Sequence, residues 1–146
     1  MIRREDGSGW LILSQVDHAW LAAELAKVWR HCGAASWGIS ELLFQTVLKH
    51  DDGWRDWETG IEIDPGNGIP RQFTEMPMET AAGIWRASIE SCAREHPLSG
   101  IWVSRHFCYL AEHALTSHAD APDDVAATRR FLSEQEGYQA ELRSRA

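Results

Sequence analysis

The spacing of hydrophobic and polar residues along the chain predicts a short N-terminal hairpin followed by five helices. The turn residues Asp6-Gly7-Ser8-Gly9 precede the compact apolar run Trp10-Leu11-Ile12-Leu13, a combination typical of two paired strands. Later apolar residues recur at intervals of three and four, which is the period of an amphipathic helix. The expected fold class is therefore mainly α, with a small β-hairpin.

The first helix is predicted to run from the capping box Ser14-Gln15-Val16-Asp17 to about His31. Gly33 is a natural stop after its last turn. One set of side chains recurs at helical spacing and is expected to face inward: His18, Leu21, Leu25 and Val28.

A second helix is predicted to start near Ser40, and Gly53 is expected to weaken or end it. His50 and Asp51 continue its apolar stripe, so both are expected on the buried face. The hydrophobic members of that stripe are Leu43, Phe44, Val47 and Leu48.

Residues 56–79 are predicted to be irregular, because several Gly and Pro residues interrupt any period. A connection of that length often forms a lid or a binding loop.

Three further helices are expected, over Thr80–Glu95, over Leu98–Thr116, and from about Pro122 to near the C-terminus. The third helix should face inward through Ile84, Trp85 and Ile89, whereas the last is so polar that a solvated helix is expected. Asp120, Asp123 and Asp124 are expected to cap that last helix, and residues 1–146 are predicted to form a single domain.

Charge restricts the classes of partner. The chain carries 22 acidic and 14 basic residues, a net charge of −8, so it lacks the basic field that a nucleic-acid backbone requires. No apolar run approaches the ~18 residues of a membrane span, and no signal peptide is recognisable. The three widely spaced cysteines suit free thiols in the cytoplasm. The basic residues are nearly all Arg, which favours a small anionic molecule as partner.

Asp51 is the residue that points most directly to chemistry. A carboxylate on an apolar face needs a cation, a metal or strong donors, because an unpartnered buried charge is very unfavourable. Lysines are scarce, whereas three imidazoles lie on comparable faces: His18, His50 and His106. Mixed imidazole and carboxylate ligation suits Fe, Mn, Co, Ni or Zn. The alternative is a hydrogen-bonded His-Asp pair that only fixes helix packing.

These residues resemble those of a known superfamily. An adjacent His-Asp on the second helix, preceded by a His on the first, is the pattern of HD-type proteins, and here it is carried by His18 and His50-Asp51. The chain is most similar to the family of unknown function numbered 3891. The stretches that carry this likeness are Gly9-Trp10-Leu11, Gln15-Val16-Asp17-His18-Ala19, His50-Asp51-Asp52-Gly53-Trp54, Ile69-Pro70 with Phe73, and Val103-Ser104-Arg105-His106.

The resemblance implies an HD-like helical bundle with a divalent transition metal, and metal-assisted hydrolysis of a small phosphorylated or nucleotide-like substrate. The implied ligands are His18, His50, Asp51 and His106. Asp51 would also orient the water molecule, and Asp52 would act as the catalytic base. HD sites usually include a further Asp on a later helix. Here no aspartate follows Asp124, so that ligand is absent, replaced by water or supplied by another chain.

Two other functions remain open at the level of sequence. The first is a di-iron oxygenase in which His106 and His113 supply extra ligands. The second is a non-catalytic helical module that binds a partner protein. The resemblance implies a chain that is C-terminally short relative to its family, and a homodimer that covers the remaining apolar surface is therefore expected.

The substrate side of the site is predicted to follow the ligands directly. Trp54 offers an aromatic face, and Arg55 and Arg71 offer guanidinium groups for an anion. Two alternatives are equally explicit: Trp54 packs in the core, and Arg55 forms a surface ion pair with Asp52 or Glu58.

Overall fold

A computed structural model describes residues 1–31, 41–117 and 119–146, apart from the side chains of residues 29–31. Within these residues the fold is mainly α, with five helices and a two-stranded antiparallel sheet. The predicted fold class is therefore confirmed. Across the same residues, no helix combines the length and the apolar character needed to cross a membrane.

The chain divides into two compact units, residues Met1–Met76 and Pro77–Ala146, each of which is described by itself. The first unit holds the hairpin, two helices and an irregular segment, and the second unit holds three helices. The helix stop expected at Gly33 and the helix start expected at Ser40 lie outside the described residues.

The N-terminal hairpin is formed as the sequence predicts. Strand β1 (Ile2–Asp6) pairs antiparallel with strand β2 (Gly9–Leu13), and the register places Ile2 opposite Leu13. Gly7 has a φ of 61°, a left-handed conformation that glycine adopts without a steric penalty. This conformation of Gly7 allows a tight turn between the two strands.

Helix α1 (Gln15–His31) begins at the predicted cap. The backbone N–H of Asp17 donates to Ser14 Oγ at 2.9 Å, and the Ser14 hydroxyl donates in turn to the Asp17 carboxylate at 2.7 Å. The cap satisfies one of the amide groups that the first helical turn leaves without an intrahelical acceptor.

The buried face of α1 differs from the predicted one. The helix packs against the second helix, its buried residues are mostly small, and the apolar residues expected to face inward are exposed; Leu25, for example, is 59% exposed. Small side chains let two helices approach closely, so the larger residues are left on the outer surface. The buried residues are Gln15, Ala19 and Ala23, and the exposed ones are Leu21, Leu25 and Val28.

Helix α2 (Glu41–Lys49) ends before the His-Asp pair rather than at Gly53. The segment that follows is irregular, as predicted, and contains three short 3-10 turns, Asp52–Trp54, Trp57–Thr59 and Phe73–Glu75. The last of these turns is tied to the hairpin, because the Arg3 guanidinium donates to both carboxylate oxygens of Glu75.

The second unit consists of helices α3 (Met78–Glu95), α4 (Pro97–Ser117) and α5 (Pro122–Arg145). Its core is aromatic. The Trp85 ring stacks on Phe107 with centroids 5.3 Å apart and meets Phe131 edge-on at 5.4 Å. The prediction for α3 is confirmed, since Ile84, Trp85 and Ile89 are all buried.

Helix α5 is not the solvated helix that its polar composition suggests. Phe131 and Leu142 are fully buried, and two buried glutamines share hydrogen bonds with α4. The Ser104 hydroxyl donates to Gln135 Oε1 at 2.9 Å, and Gln139 Nε2 donates to Ser104 Oγ at 2.8 Å. Buried polar groups are tolerated where each has a partner, and a composition-based reading misses such pairing.

None of the three aspartates near the start of α5 occupies its cap position. Ala121 occupies the cap position without a side-chain hydrogen bond, and Pro122 begins the helix. The Asp124 carboxylate instead accepts the backbone N–H of Met78 at 3.0 Å. That carboxylate therefore satisfies the first turn of α3.

Candidate metal centre

His50 and Asp51 lie just beyond the C-terminus of α2, not on the helix itself. Asp51 precedes the 3-10 turn Asp52–Trp54, and its carbonyl oxygen accepts the Trp54 N–H at 3.0 Å. The chain turns here because the helical hydrogen bonds stop at Lys49. This turn directs the Asp51 side chain into the interior, where the residue is only 4% exposed.

His18 comes to the same place from the first turn of α1. Helix α1 packs against α2 and against the turn Asp52–Trp54. The imidazole rings of His18 and His50 meet edge-on, with centroids 6.0 Å apart and an interplanar angle of 71°. The half-buried His18 therefore lies beside the His-Asp pair, as the sequence predicts.

Donor atoms of three residues converge at this point. One ligand atom each from His18, His50 and Asp51 can be chosen so that all three lie within 4.8 Å of one another. Among the residues that the structure describes, no other group of three His, Cys, Asp or Glu side chains meets that condition.

Both ring nitrogens of His50 face an oxygen acceptor. Nδ1 lies 2.6 Å from the Val47 carbonyl oxygen, and Nε2 lies 3.2 Å from Asp51 Oδ2. A carbonyl oxygen only accepts, so Nδ1 carries the ring proton, and in the neutral ring Nε2 presents a lone pair toward Asp51. Burial lowers the pKa of His50, which favours this neutral ring.

The carboxyl of Asp51 is strongly perturbed. Burial raises its pKa from 3.8 to about 7, His18 opposes that rise, and the negative charge of Glu58 adds to it. A lone pair on His50 Nε2 and a carboxylate oxygen 3.2 Å away repel each other unless a positive charge lies between them. A proton on either of the two atoms or a metal cation meets this requirement.

The spacing suits a metal. Transition-metal bonds to imidazole and carboxylate are about 2.0–2.2 Å long, which places adjacent ligand atoms about 2.8–3.6 Å apart for bond angles between 90° and tetrahedral. The 3.2 Å separation of His50 Nε2 and Asp51 Oδ2 falls in that range. The hydrogen bond from His50 Nδ1 to a backbone carbonyl is also the usual outer support of a metal-binding histidine.

Asp52 and Arg55, predicted as base and anion ligand, are paired with each other. The guanidinium of Arg55 donates to Asp52 Oδ1 from Nε at 3.1 Å and from Nη2 at 2.9 Å. The Arg55 side chain is largely exposed. This pairing is the surface ion pair that the sequence offers as the alternative, and the roles in catalysis and anion binding stay predictions.

Arg71 forms ion pairs with acidic side chains, and Trp54 is buried. Arg71 Nε donates to Glu62 Oε1 at 2.9 Å, and its Nη1 lies 3.4 Å from Asp64 Oδ2. Trp54 is fully buried, as the packing interpretation expects, and its indole N–H has no hydrogen-bond partner among the described residues. Contact of either side chain with a substrate stays a prediction.

His106 belongs to the second unit. Its side chain is exposed on α4, next to the buried Phe107, whose ring it meets edge-on at a centroid distance of 5.1 Å. Its predicted role as a further ligand stays a prediction. His113, the extra ligand in the oxygenase hypothesis, is also exposed on α4, and its Nδ1 lies 3.2 Å from Ser117 Oγ.

Glu58 is a residue of this region that the sequence did not single out as part of the site. Its side chain is 5% exposed, and Oε2 accepts the backbone N–H of Gln15 at 2.8 Å. Its other oxygen is paired with the amino group of Met1. An isolated Glu in an irregular segment gives no periodic signal, so only the folded chain reveals this contact.

The fold and the site define a mainly α protein with a His-His-Asp group able to hold a metal ion. The chain belongs to the family described as "Protein of unknown function (DUF3891)", whose sequence profile matches residues 1–146. Comparison with curated proteins and with solved structures gave no match.

Proposed function

We propose that this protein is a metal-dependent hydrolase in which His18, His50 and Asp51 hold a divalent transition-metal ion, and that its substrate is a small phosphorylated or nucleotide-like molecule. The observation that carries the metal site is the convergence of one donor atom each from His18, His50 and Asp51 within 4.8 Å, in which His50 Nε2 and Asp51 Oδ2 lie 3.2 Å apart, close enough to share a proton or a metal cation. The likeness of His18 and His50-Asp51 to the HD pattern supports the reaction class, which is an analogy from related sites.

Each ligand has a physical reason for its role. His50 is held in the tautomer that leaves Nε2 as the donor, because Nδ1 is occupied by the Val47 carbonyl. Asp51 brings a buried negative charge that a divalent cation neutralises. Nitrogen and carboxylate ligands together favour Fe, Mn, Co, Ni or Zn over Ca.

A metal held there would supply Lewis-acid chemistry, polarising a phosphoryl oxygen and making a water molecule a stronger nucleophile at neutral pH. Asp51 would orient that water, and the adjacent Asp52 would accept its proton. The Arg55 guanidinium is paired with the Asp52 carboxylate, and an anionic substrate that displaces this ion pair would be able to bind it.

The proposal predicts metal-dependent phosphoester hydrolysis. Chelator-treated protein, reconstituted separately with Mn²⁺, Co²⁺, Zn²⁺ or Fe²⁺, should hydrolyse at least one of a phosphomonoester, a phosphodiester and a nucleotide. Asp52→Asn should keep the metal but lower turnover about 10²- to 10⁴-fold, the usual contribution of a general base. Asp56→Ala, which removes an exposed carboxylate from the same segment, is the matched control and should retain wild-type turnover.

Other outcomes would redirect the assignment. Two irons per chain with oxygen consumption would favour an oxygenase. A protein that loads a metal but hydrolyses none of these esters under any of the four ions would contradict the phosphohydrolase proposal. A protein that takes up no metal would favour a non-catalytic binding module.

A further inference from the structure

We propose that Glu58 is a positioning residue of the metal centre: by accepting the backbone N–H of Gln15, it fixes the first turn of α1 and so sets where His18 lies relative to His50 and Asp51. This inference rests on the proposed metal site. It assigns a function to a buried carboxylate that the proposed reaction does not use.

The contact between Glu58 and Gln15 is long-range and partly buried. Glu58 Oε2 lies 2.8 Å from the amide nitrogen of Gln15, 43 residues earlier in the chain; the Glu58 side chain is 5% exposed and Gln15 is 4% exposed. The first amides of a helix have no intrahelical acceptor, so this N–H needs an external one. A charge-assisted hydrogen bond away from water is stronger and more directional than a neutral bond on the surface.

The contact joins the two segments that carry the ligands. Gln15 begins the turn that ends at His18, whose own N–H donates to the Ser14 carbonyl at 2.9 Å. Glu58 lies in the 3-10 turn Trp57–Thr59, which follows Asp51 by a few residues. A shift of Gln15 against Glu58 would therefore carry His18 away from Asp51.

Glu58 is not itself a ligand in this arrangement. The donor atoms that lie mutually within 4.8 Å come from His18, His50 and Asp51, so Glu58 is outside that group. Besides the negative charge that it places near Asp51, Glu58 acts on the site through the position of His18, and its removal should loosen one ligand without removing any.

Cobalt binding tests the role. Co²⁺ should bind Glu58→Ala at least about 10-fold more weakly than the wild type, as is typical when an outer-shell partner is lost. The visible absorption spectrum of the complex should resemble that of His18→Ala. Glu58→Gln, whose side-chain oxygen still accepts the Gln15 N–H, should stay within a few-fold of the wild type in affinity. Asp56→Ala serves as the control for loss of a nearby carboxylate and should bind as the wild type does.

Proton cross-relaxation between the His18 and His50 rings in the metal-free protein gives a second readout. It should be lost in Glu58→Ala and kept in Glu58→Gln. If Glu58→Ala does not fold by circular dichroism, Glu58→Asp, with its shorter reach, replaces it in both measurements.

The outcomes separate this inference from the proposed function. Wild-type affinity and spectrum in Glu58→Ala would overturn it, and so would a Glu58→Gln variant as weak as Glu58→Ala. If the wild type binds none of Co²⁺, Mn²⁺, Zn²⁺ and Fe²⁺, the metal proposal fails, and the contact between the His18 and His50 rings then tests the role of Glu58 by itself. An unchanged His18–His50 contact in Glu58→Ala overturns that role, and loss in Glu58→Ala with retention in Glu58→Gln supports it.

Discussion

At the scale of single residues, the chemistry of the site follows from one histidine between two acceptors. The Val47 carbonyl fixes the proton on Nδ1 of His50, so Nε2 points a lone pair at Asp51. Burial makes both charged forms unfavourable: it lowers the pKa of His50 and raises that of Asp51. Without a metal and below about pH 7, the pair is therefore expected as a neutral imidazole beside a protonated carboxyl.

The raised pKa of Asp51 predicts how the stability of the metal-free protein depends on pH. Its folded-state pKa, about 7, exceeds its ordinary value of 3.8, so the folded state binds this proton more tightly than the unfolded state. The stabilisation from Asp51 is fully present below about pH 4, falls as pH rises toward 7, and is lost above that pH. The full effect is at most about 4 kcal/mol.

Asp51→Asn tests the predicted fall in stability with rising pH, because asparagine resembles the protonated carboxyl at every pH. In the presence of a chelator, urea unfolding should show the variant and the wild type nearly equal in stability at about pH 4, and the variant more stable at pH 8. Equal stability at both pH values would mean that the pKa of Asp51 is not raised.

The sequence was sufficient to predict the three converging residues but not their surroundings. His18, His50 and Asp51 could be predicted because an adjacent His-Asp pair after a helical His is a recognisable local pattern. The pairing of Arg55 with Asp52 was one of two readings, and only the fold showed which contact forms. Glu58 gave no signal, since its partner Gln15 is distant in sequence.

At the scale of helices and strands, large apolar residues gave reliable predictions and small or polar ones did not. Helix α3 buries the Ile84, Trp85 and Ile89 stripe as expected. Helix α1 buries Ala19 and Ala23 and exposes its leucines. Because leucine is much more hydrophobic than alanine, the sequence pattern indicates the wrong face. In α5, hydrogen-bonded glutamines occupy buried positions, which no hydrophobic period indicates.

Two helical glycines give opposite predictions for the same substitution. A Cβ on Gly100 in α4 would lie 2.5 Å from Ala93 Cβ and 2.9 Å from Leu142 Cδ1, so Gly100→Ala should destabilise the protein by about 1–3 kcal/mol. Gly137 in α5 has nothing within 4 Å of that position, so Gly137→Ala should stabilise it by about 0.5–1 kcal/mol. The midpoint of thermal or urea unfolding measures both.

The outcome for Gly100 tests the packing of the second unit directly. If Gly100→Ala were as stable as the wild type while Gly137→Ala behaved as expected, α4 could not approach α3 and α5 as closely as the structure has it. Gly137→Ala is therefore the matched control for Gly100→Ala, because both variants replace a helical glycine by alanine.

At the scale of the whole molecule, the chain comprises two compact units with different kinds of interior. The first unit holds the hairpin and the His-His-Asp group, and the second is a three-helix unit with an aromatic core. The single domain, the homodimer and the role of His106 in the second unit stay predictions. The membership of the chain in the DUF3891 family extends over both units.

The metal content of the purified protein tests the central claim most directly. Protein prepared without chelator and measured by elemental mass spectrometry should contain about one transition-metal ion per chain. His50→Ala and Asp51→Ala should lose that ion, and His96→Ala, which changes a histidine of the second unit next to α4, should keep it. A wild-type protein that contains no stoichiometric metal and cannot be reloaded, or a His50→Ala variant that retains the metal, would contradict the account.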